Sequence, residues 1–184
     1  MKRGLILFVV IALSAPMFAA ENHTATSAVR SLREIDGLFH TGMIGIADRE
    51  AVDNFVSLEA RGNHDWHRMR PWGGLTLVDS GAWFAGAGVV YDIPLTHRSR
   101  LTLGSGPFYY TNAEQDDDLG FRLEFYSFAE LSWEWKRDVR LGVRVGHLSN
   151  AGLGRRNPGT ETLSFVVSFP LGRLFAGTRA INSN

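Results

Sequence analysis

Cysteine is absent from all 184 residues, which excludes disulfide frameworks and thiolate metal sites. An excess of either charge is missing too. Lys and Arg number 19 and Asp and Glu number 19, so there is no basic surplus with which to bind nucleic acid through its phosphates. Beyond the first 20 residues no apolar run approaches the roughly 20 residues of a spanning helix. Heptads, low-complexity tracts and repeats longer than a hairpin do not occur. Neither does the G-x-S-x-G elbow of many serine hydrolases. Such a chain has to be held together by closing or packing a sheet.

At the start, Lys2 and Arg3 precede an apolar run over residues 4–15 and a small-residue region ending near Ala19 and Ala20. This layout predicts a secretory signal peptide over residues 1–20, removed near Ala20 on export. A retained N-terminal anchor is the competing reading. Residues 21–36 are polar and predict a loose periplasmic leader with one helical turn around residues 28–35. The remainder is long enough for one domain. Its abundant glycine and aromatic residues suit strands and tight turns better than helices.

Alternate residues of a strand share a face. Alternation gives eight candidate strands, at residues 38–47, 53–61, 72–78, 82–91, 100–109, 121–135, 139–149 and 160–169. Turn residues Asp79-Ser80-Gly81 and Lys136-Arg137-Asp138 join two of the pairs. The expected fold is all-β: an eight-stranded antiparallel up-and-down barrel over residues 37–169, with residues 170–184 as a C-terminal extension.

Alternation alone leaves open which face is inside. A soluble, lipocalin-like barrel turns its apolar face inward, whereas a transmembrane barrel turns it to lipid. Strand lengths near the 9–11 residues or so of a tilted membrane strand favour the second. Trp72, Trp133 and Trp135 fall at strand ends, as an interfacial girdle requires. The charges Arg122, Glu124, Glu130, Glu134, Arg140 and Arg144 share the opposite face with mixed sign, which suits a lumen filled by ion pairs. One feature pulls the other way. The short turn at Asp79 to Gly81 falls on the outer side, where loops are usually long.

The stretch from 139 to 169 carries the chemistry. His147 and Ser149 close the apolar face of one strand, and Glu161 opens the apolar face of the next. Paired as a hairpin, these strands are expected to bring Ser149 near Glu161. A serine hydroxyl becomes a nucleophile when an imidazole takes its proton and a carboxylate orients that imidazole. All three adjoin a loop at the barrel rim. A charge on the lipid face there costs about 0–1 kcal/mol, against about 2–4 at mid-bilayer. The plainer reading is a lipid-facing strand that simply ends in polar residues.

Other residues carry weaker signals. His64 and His67, in H-D-W-H, read as turn residues rather than a metal site. His40 and His97 read as lumen or strand-end residues, and Asp116, Asp117 and Asp118 as a solvated loop without calcium-loop spacing. Arg155 and Arg156 sit beside the three polar residues, either steering a phosphorylated ligand or simply solvated.

Residues 146–163, G-H-L-S-N-A-G-L-G-R-R-N-P-G-T-E-T-L, resemble the signature of the PagL-type lipid A 3-O-deacylases, a family of eight-stranded outer-membrane barrels. The likeness covers the H-x-S-N-A core, the N-P-G turn and the acidic residue that follows the serine. It continues more weakly through Gly106 to Tyr110 and Leu119 to Phe125. The resemblance implies Ser149 as nucleophile, His147 as general base and Glu161 as its partner, with Asn150 and Asn157 supporting the oxyanion. It implies as substrate the acyl chain ester-linked at position 3 of lipid A in the bacterial outer membrane, released as a 3-hydroxy fatty acid. The course would be an acyl-enzyme followed by water, without metal or organic cofactor. Two other readings stay open: a non-enzymatic barrel that braces the membrane, and a soluble lipid-carrying barrel. Lipid-facing strands could also pair two barrels as a homodimer.

Overall fold

The computed structural model describes residues 35–47, 52–62, 67–111, 119–136 and 138–172. The expected signal peptide, nearly all of the leader and residues 173–184 lie outside them. Eight strands form: β1 Asp36–Ile44, β2 Asp53–Arg61, β3 Met69–Val78, β4 Trp83–Pro94, β5 Ser99–Thr111, β6 Leu123–Lys136, β7 Val139–Ser149 and β8 Thr160–Pro170. Each pairs antiparallel with its sequence neighbours, and β8 returns to β1, so the barrel is closed. Closure satisfies every edge strand internally, as crossing a bilayer demands.

Strand ends move from their expected places where the backbone turns left-handed. β1 stops at Ile44 rather than residue 47, because Gly45 has φ 81°. β3 begins at Met69, three residues before Trp72, directly after His67 and Arg68 at φ 54° and 67°. β6 begins after Gly120 at φ 87°.

The apolar face points out: Leu58, Leu131, Val143, Val145 and Phe165 are each more than half exposed around the wall. This orientation overturns the lipocalin-like alternative, which needs those side chains inside. Trp133 and Trp135 also lie on the outer face.

Trp72 corrects the expected girdle. It is only 3% exposed and points into the lumen, with ring centroids 5.0–6.1 Å from those of Phe108, Tyr126 and Phe128. With three residues of strand before it, Trp72 is no longer terminal, and its parity is that of buried Thr76 and Val78.

The lumen is layered. Toward the end that holds the β3–β4 and β7–β8 connections, Phe84, Phe108, Tyr110 and Tyr126 pack with Leu148. In the middle, fully buried Arg144 donates to Glu59 at 2.8 and 2.9 Å and to Glu130 at 2.8 and 3.1 Å. Arg61 donates to both oxygens of Glu130, at 3.2 Å to Oε1 and 2.6 Å to the Oε2 it shares with Arg144, and His40 contacts Glu59 at 3.0 Å. At the far end Arg70 bridges Asp36 and Asp92, and Arg100 also reaches Asp92. Only part of the expected ionic lumen is therefore ionic. Glu124, Glu130 and Arg144 are buried inside, Glu134 and Arg140 pair at 3.4 Å nearer the far mouth, and Arg122 is exposed.

Candidate active site

The β7–β8 register sets the geometry. His147 stands directly opposite Glu161, with Nδ1 3.3 Å from Oε1, and both side chains are a little under half exposed (48% and 41%) on the outer wall. Ser149 lies two residues further along β7, on the same face as His147. Its cross-strand partner is Phe125 of β6. Glu161 faces the imidazole, as expected of the base's partner, while pairing of β7 with β8 ends at Leu148 and Thr160 and leaves Ser149 one residue beyond the ladder. A carboxylate at Nδ1 leaves Nε2 as the nitrogen available to a hydroxyl, the orientation an imidazole base requires.

Beyond Ser149 the chain enters a loop built around Asn150, which is completely buried. Leu153 N–H donates to Asn150 O at 3.0 Å, and the two central residues, Ala151 and Gly152, have φ 53° and 81°. Two positive φ values mark a mirror-image turn, the kind whose twist suits the end of a hairpin strand. The Asn150 side chain fastens the rest. Its Nδ2 donates to Leu119 O at 3.1 Å and Arg156 O at 2.7 Å, and its Oδ1 accepts from Gly152 N at 2.9 Å. Its main-chain N–H donates to Asn157 Oδ1 at 2.9 Å. Both amide hydrogens and the main-chain hydrogen of Asn150 are thus already committed, so in this conformation it supports the loop and does not offer a direct oxyanion donor. Asn157 uses its oxygen in this network and keeps its amide N–H groups outside it.

Sequence reasoning missed a role for Gly159. It has φ +66°, and a Cβ there would lie 2.8 Å from His147 Cε1 and 3.3 Å from Nε2. The backbone of the N-P-G turn therefore passes across the edge of the imidazole. The only sequence signal was a glycine in a turn, which by itself says nothing about what it touches.

The remaining candidates are scattered. Arg155 and Arg156 are exposed in the Asn150-centred loop. His67 and His97 sit in turns at the opposite end of the barrel, and His40 is buried in the lumen. His64 and Asp116 to Asp118 lie outside the described residues. Among the described residues, no group of three or more His, Asp or Glu side chains is placed to hold a metal ion.

A closed antiparallel barrel with an apolar outer wall is an outer-membrane-type barrel, and this one carries an imidazole opposite a carboxylate, with a hydroxyl two residues further along the same strand, at its rim. The solved structures it resembles agree on the fold. The crystal structure of the outer-membrane enzyme PagL matches with a TM-score of 0.57 at 21% identity, over 73% of this chain and 99% of that one. Neisserial surface protein A matches with a TM-score of 0.53 at 13% identity, over 74% and 95%. A de novo designed transmembrane β-barrel matches at 0.54 and 11% identity, over 73% and 92%. No curated protein sequence matches significantly. The family model for lipid A 3-O-deacylase (PagL) matches residues 56–170. The chain belongs to that family.

Proposed function

We propose that this protein is an outer-membrane serine esterase that hydrolyses the 3-O-linked acyl ester of lipid A. The observation that carries the mechanism is the cross-strand contact of His147 Nδ1 with Glu161 Oε1, with Ser149 on the same outward face at the loop end. Ser149 Oγ attacks the ester carbonyl while His147 Nε2 takes its proton. Glu161 holds the Nδ1–H and stabilises the imidazolium as it forms. The oxyanion is met by donors at the loop mouth, the Asn157 amide being the asparagine donor not used within the loop. The C–O bond to the sugar breaks as His147 returns the proton to the departing sugar oxygen. Water, deprotonated by the same imidazole, then releases the 3-hydroxy fatty acid and restores Ser149.

The substrate is amphiphilic and meets the wall side-on, its chains along the apolar strands and its sugars level with the loop. In that position Arg155 and Arg156 steer the phosphates of lipid A. Residues 1–20 direct export to this membrane.

The deciding experiment is mass spectrometry of lipid A from cells producing the protein or its Ser149→Ala variant. Loss of one hydroxyacyl group with the first and not the second is the expected result. Deacylation that survives Ser149→Ala in a correctly inserted barrel removes the proposal. For the arginines, Arg155→Ala with Arg156→Ala should slow turnover of phosphorylated lipid A and spare the dephosphorylated form; equal rates on both would remove the steering role.

A further inference from the structure

Arg122 has left the lumen to which the alternation of β6 assigns it. Even-numbered residues there face inward, as buried Glu124, Tyr126 and Phe128 do, and Arg122 shares their parity one step before the strand. It is instead exposed, and its Nη1 donates to Tyr109 Oη at 3.0 Å on the outer wall of β5. Its carbonyl still accepts from Tyr110 N–H at 2.8 Å. Backbone pairing thus runs on to the rim while the side chain folds over it. Tyr109 is backed by Trp83 of β4, with ring centroids 5.8 Å apart, and both rings are more than one-third exposed. Exposed Trp and Tyr side chains on a barrel wall mark the head-group level of the membrane.

The lumen arginines each take a carboxylate: Arg61 and Arg144 share Glu130, Arg70 and Arg100 share Asp92, and Arg140 takes Glu134. Arg122 takes a neutral phenol, and among the described residues it forms no ion pair. Tyr109 therefore holds the guanidinium without cancelling its charge. One of five N–H groups is used, and the remaining fork can meet two oxygens of a single phosphate. The register places this group relative to the nucleophile. Ser149 pairs with Phe125 and Phe125 with Pro107, each further from its strand's loop end than the last, as the roughly 35–45° strand tilt of a closed barrel requires. The two residues from Pro107 to Tyr109 recover that height. Two strands at about 4.8 Å and two residues at about 3.4 Å put Tyr109 about 12 Å from Ser149 around the wall, at nearly the same depth. A phosphorylated sugar fills a gap of that size.

We infer that Arg122, propped by Tyr109, binds a phosphate on the sugar backbone of the same lipid A molecule whose ester lies at Ser149. The inference rests on the deacylase reading and adds to it a substrate-binding residue on the β5–β6 side of the nucleophile. The phosphate is bound alike before and during the reaction, so Arg122 acts on affinity and not on the chemical step.

The test uses the full-length protein in mixed micelles where detergent far outnumbers substrate, so that the phosphate within reach is the substrate's own. The substrates are lipid A with both phosphates, the two forms lacking one, and the form lacking both. Arg122→Gln should raise KM for the doubly phosphorylated form by about five- to thirtyfold, the range between an exposed ion pair and a charge-assisted hydrogen bond. Its kcat should hold, the signature of lost uniform binding. The penalty should follow one of the two phosphates and vanish with the form lacking both. Arg122→Lys should recover part of the affinity, and Tyr109→Phe should show a smaller penalty of the same pattern. An equal penalty with and without phosphate would mean that Arg122 only braces the rim, and no penalty on any form would mean a solvated side chain. Either overturns the inference, as does a penalty confined to vesicles packed with lipopolysaccharide, which would assign Arg122 to a neighbouring lipid. Failure of the parent reading looks different, since there Ser149→Ala leaves hydrolysis of every form intact.

Discussion

Replacing Glu161 with Gln preserves volume and removes one charge, which isolates what that carboxylate does. In the resting protein the contact is a half-exposed rim pair, whose loss should change barrel stability by only about 0–1 kcal/mol. During reaction the imidazole becomes a cation 3.3 Å from the carboxylate. Two unit charges at that separation attract by about 1.3 kcal/mol in the dielectric of water and about 5 kcal/mol at an effective dielectric of 20. At about 1.36 kcal/mol per decade of rate, the loss lies between roughly tenfold and a few thousandfold. Partial exposure on one side and lipid on the other put the site between those limits, so a fall in kcat of about 10²-fold is expected. A glutamine can also turn its N–H2 toward Nδ1 and select the wrong tautomer, which adds to the loss. The assay is release of fatty acid from lipid A at saturating substrate, with heat-modifiable migration reporting an intact barrel. A kcat within twofold of the parent, in a folded protein, would refute the assignment of Glu161 as the partner of His147.

Two further substitutions probe what holds the site in place. Gly159→Ala puts a methyl group 2.8 Å from His147 Cε1 in a backbone at φ +66°; the ring has to shift, and kcat should fall by about tenfold to 10²-fold while the barrel still migrates as folded. Full activity in that variant would show that the ring tolerates displacement. Arg144→Met leaves Glu59 without its arginine partner and Glu130 with Arg61 alone. The cost should be about 3–5 kcal/mol, read from the urea midpoint in lipid vesicles, and adding Glu59→Gln should recover part of it. A midpoint unchanged by Arg144→Met would mean that the lumen network does not hold the wall.

The barrel was legible because a period of two, sustained over strand after strand, has few other physical meanings. The outward direction of the apolar face was legible less directly, through the mixed charges opposite it, which suit a closed interior and not a lipid surface. Trp72 shows the limit of that reading. Its place in an interfacial ring depended on the strand beginning there, and three extra residues at Met69 to Pro71 turned a terminal residue into an internal one. The site shows a second limit. Parity along β7 and β8 put Ser149, His147 and Glu161 on one face, but which two stand opposite depends on the register. In the observed register His147 stands opposite Glu161, and the Asn150-centred loop beyond it is held by contacts with Leu119 and Arg156 that no local pattern announces. Asn150 itself reads as an oxyanion donor only until its burial and its bonding partners are counted.

A site on the outside of a barrel has no cleft to order it, so its precision has to come through the wall. Beneath His147 and Glu161 the wall is tied across strands from the lumen side. Gly146, next to His147, has no side chain, and a Cβ there would meet the Tyr126 ring and hydroxyl at 2.5 Å. The space is used by Tyr126, whose Oη lies 3.0 Å from Thr162 Oγ1 and so joins β6 to β8 beneath β7. Thr162 is the chain neighbour of Glu161, and Leu148, fully buried, is the neighbour of both His147 and Ser149. Each outward member of the proposed site is therefore flanked in sequence by an inward residue packed in the lumen, because successive side chains of a strand alternate faces. The aromatic layer under the site thus positions it as directly as any second ring of polar contacts could. Lipid supplies the dry surroundings that a buried cleft would otherwise provide.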